Sequence, residues 1–311
     1  MSIDLFNERR TGILMAPRTT LAWYGIGLPS LNMGETKNHG FELDLGWHNK
    51  IGKNWRYSMN YSLSMNENRI VFRDDPSDLE SHLKEAGKPI DWQARFLAVG
   101  NYETIDDVFN HAQTAIGQAS PQKVIPGDLV YIDYNGDGIL NINDKAAVSQ
   151  MNYPQTTMSL NLGLEYKGWG LNAMIYAPLG VYKLQFDQYL WDFPESNIKA
   201  QPDVLNHWTP EKANTNKVMR PALHLDRGHN SVQSTYSYAN HSYVRLKHLE
   251  LSYKFPKKLL KPLSITACQF YIKGNNLLTF SNVDNRVDPE TGGADTYPIV
   301  RTYTVGTRIT F

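Results

Sequence analysis

The chain has 311 residues, and its 31 lysine and arginine residues balance 31 aspartate and glutamate residues, so the formal net charge is zero. Nothing in this balance suggests nucleic-acid binding, which usually shows a basic face or stripe, and the one cysteine, Cys268, excludes a disulfide framework and a cysteine-based metal site. No run approaches about 18 apolar residues, so no transmembrane helix is predicted, but alternating strands can cross a membrane as a barrel.

The main pattern along the chain is an alternation of apolar and polar residues with a period of two. In residues 54–66 the odd positions are apolar or aromatic, as at Met59, and the even positions are polar, as at Asn60. The same alternation recurs in three further segments, at 41–48, 158–166 and 303–311. Because successive strand side chains point to opposite faces, each segment has one apolar and one polar face.

Two all-β architectures fit this alternation: a soluble sandwich and an antiparallel outer-membrane barrel. The segments are about 9–14 residues long, enough to span a bilayer at a tilt and longer than the usual strand of about 5–6 residues. Short and very long connections alternate. Aromatic residues cluster beside the short ones, as expected at a membrane–water interface: Trp47, Trp55, Tyr166, Trp169, Tyr253 and Phe255. These features favour the barrel.

About eight spanning segments are predicted, at 2–11, 38–49, 53–66, 156–166, 169–180, 241–255, 264–274 and 301–311. Since barrels of this kind have short periplasmic turns and long extracellular loops, the two sets of connections fall on opposite sides. The periplasmic turns are predicted at about 50–53, 167–168 and 256–263. The extracellular loops are predicted at about 12–37, 67–155, 181–240 and 275–300. Within the second loop a helix is predicted in 103–116, capped by Thr104.

One extracellular stretch, "DYNGDGILNIND" at 133–144, has the spacing of an EF-hand calcium loop. A structural calcium ion is predicted there, with ligands from Asp133, Asn135, Asp137, the carbonyl of Ile139, Asn141 and Asp144. The preceding residues look extended, so the entering helix of a calcium sensor is missing. A metal-free turn is the alternative, because "NG" and "DG" are strong turn signals by themselves.

No sequence motif for catalysis was found. The chain has no GxSxG, Walker A, GxGxxG or HExxH motif, so we predict that it is not an enzyme. The histidines of "HLDRGH" at 224–229 lie in a polar stretch, which we interpret as a solvated loop.

Several stretches in consistent order resemble one family, the SusC/RagA-like TonB-dependent outer-membrane transporters. They are "NMGETKNHGFELDL" (32–45), "WRYSMNYSLSMNENRI" (55–70), "PGDLVYIDYNGDGILNINDK" (126–145), "HWTPEKANT" (207–215), "YVRLKHLELSYKFP" (243–256), "GNNLLTFSN" (274–282) with "DPE" (288–290), and "YPIVRTYTVGTRITF" (297–311).

This resemblance implies a barrel of about 22 strands with a plug in its lumen, in the outer membrane of a Gram-negative cell. Such a transporter imports nutrients, glycan or peptide oligomers, with energy from TonB, under a lid formed by a SusD-like lipoprotein. The chain shows no plug, TonB box or signal peptide, so we interpret it as the carboxy-terminal part of the barrel. TonB would act through parts absent from this chain.

Two other interpretations remain open at this point. The chain could be a small, complete eight-stranded outer-membrane barrel. It could instead be a secreted, calcium-stapled β-sandwich that binds glycans through loop aromatics. In the transporter those same aromatics are candidate substrate or lid contacts: Trp191, Trp208, Tyr236 and Tyr238.

The last strand carries a further pattern, polar-x-Gly-x-x-apolar-x-apolar. By resemblance, it is the signal that the outer-membrane assembly machinery reads, and its residues are Thr304, Gly306, Ile309 and Phe311. The predicted partners are therefore this machinery, TonB, the SusD-like lid and membrane lipid, with no nucleic acid.

Overall fold

The computed structural model describes residues 1–19, 28–116, 123–148, 151–185, 202–213, 218–223, 228–291 and 296–311. Its main feature is one antiparallel sheet of eight long strands, each paired with its neighbours in chain order. These strands are β1 (Ser2–Met15), β2 (Leu31–Ile51), β3 (Trp55–Phe72), β4 (Thr156–Tyr166), β5 (Trp169–Leu179), β6 (Tyr243–Lys254), β7 (Ala267–Ser281) and β8 (Thr302–Thr310). The all-β prediction with about eight spanning strands is confirmed.

The strand register keeps polar residues together on one face of the sheet. On β3, Asn60 pairs with Gly46 of β2 on one side and with Asn161 of β4 on the other. Leu63 lies on the opposite face and pairs with Leu43 and Met158. The face of Asn60 is called the inner face below, and the face of Leu63 the outer face.

The outer face is apolar and exposed. Leu5 is 76% exposed, Trp47 58% and Val305 64%, whereas a soluble sandwich would cover such residues with a second sheet. The other sheets of the described residues have only two strands each. This arrangement favours the barrel over the sandwich. The sheet is also open over the described residues, with β1 and β8 at its two ends.

The short turns all lie at the same end of the strands, as predicted. Gly52 (φ 62°) and Gly168 (φ 92°) supply the left-handed backbone that the β2–β3 and β4–β5 turns need. A four-residue helix, Lys257–Leu260, lies between β6 and β7. Aromatic rings line this short-turn end of the sheet: Trp55 stacks on Tyr166 with ring centres 4.2 Å apart. The predicted aromatic clustering beside the short turns is confirmed.

At the opposite end, where the long connections are, several strands extend further than predicted. β1 continues to Met15, and β2 begins at Leu31 instead of 38. β3 ends at Phe72 and β7 at Ser281, so the predicted loops at 12–37, 67–155 and 275–300 all contain strand residues. On β1–β3 the outer face becomes charged beyond the apolar band, so alternation fades although backbone pairing continues. The β1 and β7 pairings also contain register shifts that interrupt the pattern.

The long connections carry short elements of their own. The predicted helix is confirmed in shorter form as Ile105–Asn110, capped by Thr104. The short strands are Gln93–Arg95, Ala98–Asn101, Gln113–Thr114, Leu129–Tyr131, Ile139–Leu140, Ala146–Val148, Tyr182–Leu184 and Tyr238–Asn240. The 3-10 helices are Ser81–Leu83, Ile142–Asp144, Pro202–Asn206, Pro210–Lys212, Thr235–Ser237 and Lys261–Leu263. No helix among the described residues is both long and apolar enough to cross a membrane.

Candidate functional site: the inner face and the loop layer

The inner face presents a polar wall. Polar side chains pair across its middle, as in Ser62 with Asp44 and Ser159. Near the short turns, the Glu165 carboxylate lies 3.7 Å from Arg56 and 3.4 Å from Lys254. Such a surface is suited to water and hydrogen-bonding solutes, and it faces away from the apolar band that would meet lipid.

At the long-loop end of the sheet, parts of two long connections pack into a compact unit. We call this unit the loop layer; it comprises the described residues of 93–148 and 228–240. Its apolar core consists of Phe96, Ile116, Leu129, Tyr131 and Leu140, all at most 4% exposed. Burial raises the pKa of Tyr131 and raises that of Tyr102 to about 12. The loop layer therefore has a core separate from the sheet.

Hydrogen bonds between polar groups hold the segment 228–240 against the segment 93–148. Asn230 donates to a carboxylate oxygen of Asp128 (2.7 Å) and accepts from the backbone N–H of Leu129 (2.9 Å). His229 is 2% exposed, and its Nε2 lies 2.8 Å from the carbonyl oxygen of Leu129. The prediction of a solvated loop at 224–229 is therefore wrong for His229, while His224 lies outside the described residues. No local sequence signal marks a histidine whose partner is 100 residues away.

A second anchor ties the loop after β7 to the wall. Arg245 on β6 is 1% exposed, and its guanidinium donates to Asp288 (2.8 Å), Glu290 (2.9 Å) and the Thr279 hydroxyl (2.9 Å). Lys247 also donates to the Glu290 carboxylate. Burial would raise the pKa of Glu290, but the hydrogen bond from Lys247 and the nearby cations lower it below its usual value. This cluster was not predicted from the sequence.

The 133–144 loop forms a tight coil. The Asp133 carboxylate accepts from the backbone N–H groups of Gly136 and Gly138, each at 2.8 Å. These bonds outweigh the effect of burial and lower the pKa of Asp133. The buried Asp144 carboxylate accepts from the N–H groups of Tyr134 (2.9 Å) and Asn141 (2.7 Å). The predicted ligands of this loop are carboxylate, amide and carbonyl oxygens, which are the ligands that calcium prefers.

The remaining predicted ligands also have partners inside the coil. Asn135 and Asp137 accept from backbone N–H groups, and the Ile139 carbonyl accepts from the Asn141 side chain. Among the described residues, no three acidic, histidine or cysteine side chains are grouped as a metal site. Internal hydrogen bonds hold the loop, and calcium stays a prediction. The extended segment before it, Leu129–Tyr131, confirms that the entering helix is missing.

The predicted substrate or lid contacts lie mainly within the loops. Trp208 is 6% exposed and packs so closely on Gly127 that a Cβ there would lie 2.5 Å from the indole ring. Tyr236 packs against the loop core, and the Arg95 guanidinium lies 3.1 Å from the ring centre of Tyr238. Trp191 lies outside the described residues. For the three described aromatics, this placement favours a packing role.

The predicted assembly signal is divided between the two faces of β8. Thr304 and Gly306 pair with inner-face residues of β7, and Gly306 lies under the ring of Tyr271. Ile309 pairs with Cys268, and Phe311 is 86% exposed beyond the strand end. Recognition by the assembly machinery stays a prediction.

Comparisons with known proteins agree with this arrangement. No protein-family model matches the chain. It is 28% identical over 335 residues to TonB-dependent receptor P3 of Formosa agariphila, covering 100% of this chain and 32% of the receptor. It is 25% identical to TonB-dependent receptor P26 of that organism, covering 97% of this chain and 32% of the receptor. The chain thus spans about a third of the length of the curated relatives it matches.

Solved structures share the fold. The chain superposes on a structure of the RagAB peptide transporter with a TM-score of 0.71 and 20% identity, covering 99% of this chain and 33% of that one. The "closed-closed" state of the RagAB peptide importer gives a TM-score of 0.69. The resemblance to SusC/RagA-like TonB-dependent transporters, the antiparallel barrel architecture and the location in the outer membrane of a Gram-negative cell are confirmed. The relatives are named as receptors, and these neighbours as a transporter and an importer.

Proposed function

We propose that this chain forms part of the wall and mouth of an outer-membrane active transporter that imports nutrients with TonB-derived energy. The observation that carries the proposal is the similarity of 97–100% of this chain to about a third of the length of two TonB-dependent receptors. The two-faced sheet supports it, because a transporter wall needs an apolar surface toward lipid and a polar surface toward its cargo.

The loop layer suits the mouth of such a transporter. Its core positions the long connections above the sheet, and the Arg245 cluster holds the loop after β7 against the wall. We propose that a SusD-like lipoprotein lid covers this side. TonB would act through parts of the transporter outside this chain.

For the cargo we propose oligomeric nutrients, glycans or peptides. The structural neighbour RagAB is named a peptide transporter, which favours peptides as the first class to examine. The polar inner face offers amide, hydroxyl and carboxylate groups, which can hydrogen-bond either cargo. No catalytic step forms part of the proposal.

The test is uptake by the native bacterium. A strain that lacks the gene for this protein should lose uptake of one labelled oligomer class, and plasmid expression should restore it. A strain without TonB activity should show the same loss. If both strains import every peptide and glycan mixture at the parental rate, the proposed function is wrong.

A further inference from the structure

The outer face of β1–β3 changes character at one level. Leu5 pairs with Phe41, and Phe41 pairs with Met65, which forms the last apolar row across the three strands. Two residues further along each strand, the next outward row is polar. It contains Asn7, His39 and Glu67.

The row beyond consists entirely of cations. Arg9 pairs with Lys37, and Lys37 pairs with Arg69, so three positive side chains stand side by side on three neighbouring strands. We call these three residues the cation row. The side chains of Arg9 and Arg69 are 67% and 52% exposed, and Lys37 is exposed too.

The charges in and beside the cation row do not cancel. Arg9 pairs with Glu35, and Arg69 with Glu67, which also lies 3.8 Å from His39. Lys37 has no anionic partner among the described residues. Since like charges in directly opposed strand positions repel each other, an additional anion at this row would be stabilising.

The height of the row above the apolar band identifies its surroundings. Each strand residue rises about 3.4 Å, so four residues separate Met65 from Arg69 by about 14 Å along β3. At a strand tilt of about 40° this corresponds to about 10 Å of height. The headgroup layer of a bilayer begins where the hydrocarbon core ends and is about 5–8 Å thick on each side. The backbone of the cation row therefore lies just beyond the headgroups on the side of the long loops, and the long arginine and lysine side chains can reach back to them.

We propose that the cation row binds the phosphate groups of outer-leaflet lipids. The inference rests on the outer-membrane location and on the strand register, and it concerns lipid, not cargo. Arginine suits this ligand, since its guanidinium matches a phosphate with two parallel hydrogen bonds, while lysine adds a point charge. Bound lipid would supply the anion that Lys37 lacks and would fix the height of β1–β3 in the membrane.

The test uses the protein extracted from outer membranes in mild detergent and native mass spectrometry with two probes, phosphorylated lipid A and its dephosphorylated form. The wild type should bind the phosphorylated probe more tightly. The variant Arg9→Gln/Lys37→Gln/Arg69→Gln should weaken its binding about tenfold or more, because charge-assisted contacts are lost. The dephosphorylated probe should bind the two proteins alike.

A matched variant, Lys50→Gln/Arg56→Gln/Lys254→Gln, removes three cations at the short-turn end of the sheet. It should bind the phosphorylated probe like the wild type. If the triple variant of the cation row fails to fold, Lys37→Gln alone decides, since no ion pair of Lys37 is lost, and it should weaken binding about threefold. Equal binding of the two probes to the wild type would overturn the proposal. Unchanged binding of the phosphorylated probe to the cation-row variants would do so too.

Discussion

The guanidinium of Arg245 lies 2.8 Å from a carboxylate oxygen of Asp288, which joins the sixth strand of the wall to the loop between the seventh and eighth. The side chains of both residues are at most 10% exposed. A buried ion pair of this kind restricts where the loop can go, because separating the charges leaves each without a partner.

Replacing Arg245 with methionine should release this loop. The variant leaves Asp288 and Glu290 without their shared cation, and breaking a buried pair costs about 3–5 kcal/mol. We expect about 3 kcal/mol, because Glu290 is 35% exposed and partly screened. Hydrogen–deuterium exchange of residues 282–291 should speed up accordingly. The control Arg286→Met, which removes an ion pair with the 39% exposed Asp284 on the same loop, should change exchange less. Equal effects of the two variants would contradict the account.

The same anchor should weaken in acid. Nearby cations hold the pKa of Glu290 below its usual value. A carboxyl group with a lowered folded-state pKa contributes stability above its unfolded pKa of about 4.3 and loses it as the pH falls through the folded value. Loop exchange, corrected for the intrinsic rate, should therefore be flat from pH 7 to about 5 and rise below about 4. Release between pH 6 and 7 would point to another titrating group.

A side chain at Gly306 should displace the ring of Tyr271. A Cβ at this position would lie 2.5 Å from the Tyr271 hydroxyl oxygen and 2.6 Å from the adjoining ring carbon. We expect Gly306→Ala to push the end of the Tyr271 side chain aside and to lower the free energy of unfolding by about 0.5–1.5 kcal/mol, the cost of an off-rotamer side chain, measured by urea denaturation in detergent. Gly100→Ala is the control, because nothing lies within 4 Å of its Cβ position. A Gly306→Ala protein as stable as the wild type would contradict the close packing.

Calcium binding by the 133–144 loop is open to direct measurement. If the loop holds a structural ion at the affinity of extracellular modules, about 10⁻⁴–10⁻³ M, calorimetric titration should give a saturable heat. Asp133→Asn/Asp137→Asn should abolish it, and the loop should keep most of its internal hydrogen bonds because asparagine still offers an oxygen acceptor. No heat from the wild type at millimolar calcium would leave the metal-free turn.

The sequence allowed prediction of the sheet where lipid or a short turn constrains it. The alternation around Met59 and Asn60, the turn at Gly168 and the cap at Thr104 are local signals, and the structure confirms each. Pairing beyond the apolar band was missed, because there the outward residues are charged and only backbone hydrogen bonds continue the strands.

Within the loops, the contacts that matter join residues far apart in sequence. His229 bonds to the Leu129 carbonyl and Arg245 to Glu290, across 100 and 45 residues. A local pattern contains no information about such partners, so the buried His229 was interpreted as part of a solvated loop. Trp208 likewise packs against Gly127 from a distant segment, a contact that no local pattern indicates.

The central claim is that one face of this sheet meets lipid and the other meets water. A spin-label scan along β3, from Tyr57 to Met65, tests it most directly, with Cys268→Ser as the background and the protein in liposomes. Oxygen, which concentrates in lipid, should relax labels most strongly at Met59, Tyr61 and Leu63. A polar nickel chelate should act most strongly at Ser58, Asn60 and Ser62. Accessibility without a two-residue period, or with the two probes in the opposite phase, would contradict the account.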